Sequence, residues 1–231
     1  MKRVVLTDIE GTTSRIDFVH QVLFPYARAR LPQFVRTQRD SPGLQQALAA
    51  VSVELANTEA SLDQQIEALL RWTDEDRKIT PLKSIQGMIW AEGYASGDFT
   101  AHVYLDAYDA LRRWHGEGRP LHVYSSGSIA AQKLFFRHSV FGDLSPLFDS
   151  YFDTTSGGKR EAGSYHRIAD AIGREPDDIV FLSDIEAELD AAREAGMRTV
   201  QLVRTDAPPE SRGAHQTVAS MADIDLAASD E

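Results

Sequence analysis

The sequence predicts an α/β protein, a Rossmann-like parallel sheet core with an inserted α-helical cap domain. Three observations carry that expectation. Short apolar runs without polar alternation mark strands buried on both faces. Segments with helical spacing separate them, the pattern of a sheet covered by helices. One stretch of roughly eighty residues holds helical runs and no strand, too long for a loop and therefore a small domain of its own. The expected division is 1–17 and 98–231 for the core and 18–97 for the cap.

Five runs read as strands: Val4–Thr7, Leu121–Tyr124, the short Tyr151–Phe152, Ile179–Leu182 and Thr199–Val203. Helical spacing covers Ser128–Arg137, with Ile129, Leu134 and Phe135 on one side, then Gly163–Ile172 and Glu186–Ala195. Gly196 ends the last of these as a helix-terminal glycine. In the insertion, Gln45–Asn57, Leu62–Arg71 and Pro81–Ala95 read as helices, and Asp40-Ser41-Pro42-Gly43 as a turn. From Asp206-Ala207-Pro208-Pro209-Glu210 onward the tail reads as loose.

Composition narrows the classes of function. The 231 residues are 42% hydrophobic and 26% charged, an ordinary globular balance. There is no cysteine, which removes disulfides, thiolate metal sites and cysteine nucleophiles and fits a reducing compartment. With 24 Lys and Arg against 35 Asp and Glu, the net charge of -11 repels nucleic acid and anionic membranes. The first apolar run is too short for a signal peptide or a membrane span. A cytoplasmic monomer acting on a small molecule is expected, with no nucleic acid and no membrane as partner. Trp72, Trp90 and Trp114 read as core residues.

Chemistry gathers where strands end, the place where open parallel sheets bind ligands. Asp8-Ile9-Glu10-Gly11-Thr12-Thr13 follows the first strand, and two carboxylates so close repel unless a cation or a proton sits between them. Alone, this motif reads equally as a turn or cap. Val123-Tyr124-Ser125-Ser126-Gly127-Ser128 opens a helix and suits an anion, though Ser126 or Ser128 would also serve as a plain N-cap. Lys159 follows two glycines as a compact positive charge. Asp184 ends the fourth strand, and Glu186 and Glu188 beyond it read as acids favouring the positive end of the next helix. Four strand ends thus carry a carboxylate pair, serines, a lysine and another carboxylate. Together they suit phosphoryl transfer to an aspartate.

The order and context of these motifs resemble the haloacid-dehalogenase-like hydrolases, the HAD-like fold, and among them the Mg²⁺-dependent phosphatases with a helical cap. Asp8 to Thr13, Phe18-Val19-His20-Gln21-Val22-Leu23-Phe24-Pro25-Tyr26 and the cap stretch Asp76–Trp90 look like the enolase-phosphatase family of methionine salvage. So do Val123–Ser128, Lys159–Tyr165 and Leu182-Ser183-Asp184, and the resemblance runs from about Val4 to about Val203. Ser156-Gly157-Gly158, before the lysine, departs from the family's usual residues.

The resemblance implies a role for each residue. Asp8 is the nucleophile and a metal ligand. Glu10, where most of the wider superfamily has Asp, is the acid/base and also touches the metal, through its backbone carbonyl. Ser125 and Ser126 bind the substrate phosphate, Lys159 neutralises it and orients Asp8, and Asp184 completes the site for one Mg²⁺ per subunit. Lys83 and Gln86 in the cap touch the diketone end. The implied reaction takes 2,3-diketo-5-methylthiopentyl-1-phosphate through an enol phosphate to a dihydroxy-keto product and phosphate. The rivals are a HAD-type phosphatase of another small ester, a dehalogenase, which would not need Asp184, and a non-catalytic phospho-receiver domain. Receivers are shorter, carry no large helical insertion and are phosphorylated on a middle strand.

Overall fold

The computed structural model describes residues 2–204 and 213–226. The loose tail expected from Asp206 to Glu210 lies outside the described residues. In chain order the elements are β1 (Val4–Thr7), a short turn α1 (Ile16–Phe18) leading into a π-helical turn (Val19–Leu23), α2 (Phe24–Thr37), α3 (Pro42–Glu54), α4 (Leu62–Asp74), α5 (Thr80–Ser96), α6 (Leu105–Gly116), β2 (Leu121–Tyr124), α7 (Ile129–Arg137), β3 (Ser150–Phe152), α8 (Ala162–Ile172), β4 (Ile179–Ser183), α9 (Glu186–Glu194), β5 (Arg198–Leu202) and β6 (Gln216–Val218). The chain forms two compact units, Met1–Ile16 with Ala101–Glu231, and Asp17–Thr100.

The first unit is the expected parallel sheet, in the order β3-β2-β1-β4-β5-β6 with every pairing parallel. β1, β2 and β4 are buried along their whole length. That is why they read as largely apolar runs rather than alternating ones. Thr7 pairs with Val123 on one side and Leu182 on the other, so β1, β2 and β4 end level. On one face Val4, Leu6, Tyr124, Tyr165, Ile168, Phe181 and Leu189 form a buried cluster.

β6 went unread in the sequence. It is three residues, partly polar and at the sheet edge, so burial leaves little mark on it. The helix α6 was also missed, although its buried Ala107, Ala110, Leu111 and Trp114 keep helical spacing.

The second unit is helical. α4 opens with a reciprocal cap, Ser61 Oγ accepting from the Gln64 amide while the Gln64 side chain accepts from the Ser61 amide. α3 begins at Pro42, three residues before the expected Gln45, because a proline with no amide hydrogen suits a first turn. α2 was unread because it contains Pro25 and Pro32. Pro32 removes one backbone bond inside the helix, yet Ala27, Leu31, Phe34 and Val35 all bury on one face, and that packing outweighs the lost bond. The core joins them to Leu44, Val51, Ile66, Leu69, Trp72, Leu82, Ile85 and Ile89.

Trp72 and Trp114 are buried, as expected. Trp90 is only partly so, and its indole N–H donates to the Leu23 carbonyl at 2.8 Å.

Candidate active site

The last ladder bonds of the sheet fix the strand-end residues. The Asp8 amide donates to the Leu182 carbonyl at 2.9 Å, one residue beyond β1, and the Ser125 amide to the Phe152 carbonyl at 3.2 Å, one beyond β2. Both side chains therefore start from the rigid end of a buried strand. After Asp8 the chain turns sharply, and the Ile9 carbonyl accepts the amides of Thr12, Thr13 and Ser14.

Gly11 sits in this turn at φ +73°. A Cβ there would lie 2.1 Å from Asp184 Oδ2, so the turn admits only glycine while the Asp184 carboxylate packs against it. The Arg204 guanidinium anchors the turn from outside, donating to the Thr12 carbonyl and to Asp106.

Asp8 is 3% exposed, and its Oδ1 lies 2.7 Å from Lys159 Nζ. The same ammonium lies 2.6 Å from Glu188 Oε2. Burial alone would depress the lysine, but the Asp8 and Glu188 carboxylates outweigh it and hold the ammonium charged, above its usual range. Ser125 Oγ, fully buried, donates to Glu10 Oε2 at 3.1 Å and accepts from the Gly127 amide at 3.2 Å. Burial first and the Asp8 charge second push the Glu10 carboxyl up, against the pull of Lys159. Asp184 is raised to about 6 by burial and then by Asp8. These acids resist ionising together without a cation.

The site thus brings together Asp8, Glu10, Ser125, Lys159 and Asp184 within one unit. Ser126 is exposed on the same loop. Lys83 and Gln86 stand on α5 in the helical unit, Gln86 buried and Lys83 partly exposed.

Glu188 corrects the sequence reading. It was assigned to helix-end electrostatics, but it accepts from Ser183 Oγ at 3.0 Å and pairs with Lys159. Burial above all, with Asp8, holds its carboxyl up while Lys159 draws it down. Its place in the first turn of α9, directly after the strand-end Asp184, was the available signal. The first-turn amides of α7 are also less free than expected, since the Ile129 amide donates to Asp153 at 3.2 Å and the Ala131 amide to Ser128 at 3.3 Å.

For a divalent cation the donor set is oxygen only. Asp184 Oδ1 is buried with no hydrogen-bond partner among the described residues, a costly state that a cation would relieve. Among the described residues no group of three or more His, Asp or Glu side chains could hold a metal by itself. Two carboxylates, Asp8 and Asp184, with a backbone carbonyl and several waters still suit Mg²⁺, which sheds its water reluctantly.

The profile of the haloacid dehalogenase-like hydrolases matches residues 2–196. The chain belongs to these hydrolases. It is 56% identical over 222 residues to "Enolase-phosphatase E1" of Pseudomonas aeruginosa (strain UCBPP-PA14), covering 96% of this chain and 97% of that protein. It is 54% identical over 226 residues to "Enolase-phosphatase E1" of Azotobacter vinelandii, covering 98% of each. Among solved structures, the Unknown transcript 4 protein of Saccharomyces cerevisiae superposes with a TM-score of 0.82 at 35% identity, covering 97% of this chain and all of that one. Within the hydrolases, then, the chain is a member of the enolase-phosphatase family.

Proposed function

We propose that the chain is a bifunctional, Mg²⁺-dependent enolase-phosphatase of methionine salvage. It converts 2,3-diketo-5-methylthiopentyl-1-phosphate, through an enol phosphate, to 1,2-dihydroxy-3-keto-5-methylthiopentene and phosphate. The observation that carries this reading is the buried Asp8–Lys159 ion pair at the strand ends, with Glu10 and Asp184 beside it.

The Asp8 oxygen not paired with Lys159 attacks phosphorus, and the phosphorus–oxygen bond to the substrate breaks. The departing oxygen takes a proton from Glu10, whose carboxyl is held up by burial and then by Asp8, the direction that favours its protonated form. Glu10, now a carboxylate, takes a proton from the water that hydrolyses the aspartyl phosphate, and inorganic phosphate leaves. Lys159 neutralises phosphate oxygens as it neutralises Asp8 now, and Ser125 and Ser126 hydrogen-bond them. For the enolisation, Glu10 moves a proton from carbon to oxygen, the glutamate's extra methylene giving the reach.

Asp8, Asp184 and the Glu10 backbone carbonyl would hold Mg²⁺, which when bound screens phosphate from carboxylate and stabilises developing enolate charge. Lys83 and Gln86 are assigned to recognition of the diketone end. The protein acts as a cytoplasmic monomer on this small molecule. No helix among the described residues is long and apolar enough to cross a membrane.

The test is phosphate release and product absorbance measured together on the diketone phosphate, with and without Mg²⁺. Both signals, lost on chelation, are expected. Phosphate release from simple esters with nothing from the diketone would keep the Asp8 chemistry and overturn the substrate. A Glu10→Asp variant that ran both steps at full rate would remove the argument from reach.

A further inference from the structure

Lys159 follows only a single 3-10 turn (Thr154–Ser156) and two glycines, yet its ammonium must stand within hydrogen-bond distance of Asp8. A lysine side chain has four rotatable bonds, so the backbone at its root has to be held first.

That backbone is held in an unusual way. Four consecutive carbonyls, from Ser156 to Lys159, each accept from a side chain. Arg167 Nε donates to Ser156 O at 2.7 Å, Tyr124 OH to Gly157 O at 2.9 Å, Ser164 Oγ to Gly158 O at 2.8 Å and Tyr165 OH to Lys159 O at 2.6 Å. Arg167 Nη2 also donates to Ser164 Oγ at 3.1 Å, which ties two of the donors together. The donors come from two rigid elements, β2 and α8. Both tyrosine rings are fully buried and meet edge to face, 5.5 Å apart at 82°. Burial keeps both phenols protonated, so they act as donors at any working pH.

Gly157 fits the same scheme. Its φ is +118°, and a Cβ there would lie 2.1 Å from Arg167 Nη2 and 2.2 Å from Ser164 Oγ. The glycine lets the donors close on the backbone. The Tyr124 ring in addition faces the ammonium itself, with Nζ 5.8 Å from the ring centroid.

We propose that Tyr124, Ser164, Tyr165 and Arg167 are positioning residues, whose four hydrogen bonds to the carbonyls of Ser156–Lys159 set the Lys159 ammonium against Asp8 and against the phosphate it would bind. The proposal rests on the role given to Lys159 under the proposed function. Tyr165 acts on the carbonyl of the lysine itself and carries the largest share. At Ser156-Gly157-Gly158 the side-chain donors hold the shape, and Gly157 leaves them the room to do so.

The experiment compares Tyr165→Phe, Tyr124→Phe, Arg167→Ala and Arg167→Lys with Tyr151→Phe, a control on β3 whose hydroxyl donates to the Ser145 carbonyl at 3.4 Å. The Phe variants keep the buried ring and delete one hydroxyl. With the diketone phosphate, Tyr165→Phe is expected to lower kcat about tenfold and to raise both KM and the inhibition constant for inorganic phosphate severalfold, the effect of one misplaced charged hydrogen bond. Arg167→Lys is expected to recover part of what Arg167→Ala loses, since lysine keeps the donor. Tyr151→Phe stays at the wild-type value.

A second readout needs no turnover. The folded protein is treated briefly with acetic anhydride, and acetylation at each lysine is read by peptide mass spectrometry. Lys159 is expected to be protected in the wild type and labelled severalfold faster in Tyr165→Phe, with Lys83 unchanged. If the wild type leaves the diketone phosphate untouched, the functional reading fails while the labelling still decides the positioning. If Tyr165→Phe and Tyr124→Phe both keep wild-type kcat, KM and Lys159 protection, the positioning proposal is overturned.

Discussion

In the α/β unit three charges, those of Asp8, Lys159 and Glu188, meet out of water, whereas the helical unit keeps its ion pairs at the surface. Lys159 is 6% exposed along its side chain and Asp8 5%, while Arg36 and Asp63, paired at 2.8 Å in the helical unit, are 54% and 74% exposed. Arg30 and Asp98, paired at 2.8 Å, are 55% and 34% exposed along their side chains. Inside, the helical core is apolar apart from such contacts as Gln65 with Ser52 at 2.8 Å. The difference teaches where each unit's stability comes from. Helices held by hydrophobic burial need no interior charge. A phosphoryl-transfer site needs charge where water cannot screen it, and the surrounding fold must oppose the desolvation cost.

The contrast can be broken first at Asp8. Asp8→Asn should abolish phosphate release by about three orders of magnitude or more while the far-ultraviolet circular dichroism stays native. Persistent turnover would remove the covalent step. Lys159→Met should act on stability as well as rate, because Asp8 and Glu188 then face each other uncompensated. A loss of about 3–5 kcal/mol is expected in thermal melts near neutral pH, shrinking as acid protonates the carboxylates.

Leu69→Ala sharpens the other side. Leu69 is fully buried in the helical core, so about 2–5 kcal/mol should be lost, seen as a lower melting temperature, with kcat retained where the protein is folded. Arg36→Ala, the smallest effect, should leave the melting point nearly unchanged, since exposed pairs contribute about 0.2–1 kcal/mol at most.

Between these lies a pH effect in the sheet. His122, in β2, is buried with no hydrogen-bond partner on either ring nitrogen among the described residues, and burial lowers it below its ordinary value against a weaker upward pull from Asp149. The fold keeps the ring neutral while the unfolded chain protonates it near pH 6.5. Its contribution to stability is therefore whole above about pH 6.5 and is lost as the pH falls from there towards the folded-state value. Thermal melts between pH 7.5 and 5 should show a smaller acid loss in His122→Leu than in the wild type. An equal loss would shift the cause to other groups.

Much of this was legible before any coordinates. Val4–Thr7 and Leu121–Tyr124 read correctly to the residue because strands buried on both faces leave a largely apolar run, His122 in β2 being a polar exception. Asp8 and Asp184 were legible by position, at strand ends, and Lys159 by the two glycines before it in the loop beyond β3. α2 was hidden by its two prolines, which tertiary packing overrides, and β6 by its edge position and polar composition. Glu188 was misread because an acid early in a helix looks the same in sequence whether it faces solvent or a buried lysine.

By itself, then, the sequence determined most of the segments that form strands and helices, α2, α6 and β6 apart, and which residue types stand at their ends. Those properties depend on neighbours a few positions away: apolar periodicity, caps, prolines and glycines. Only the tertiary structure decided the strand order β3-β2-β1-β4-β5-β6, the closure of Asp184 onto Gly11, and the meeting of Asp8, Lys159 and Glu188. It also decided that four carbonyls in a row would be held by donors from β2 and α8. These contacts join residues far apart in the chain. They exist because burying the sheet on both faces brings the strand ends together, and no local pattern records which distant partner arrives.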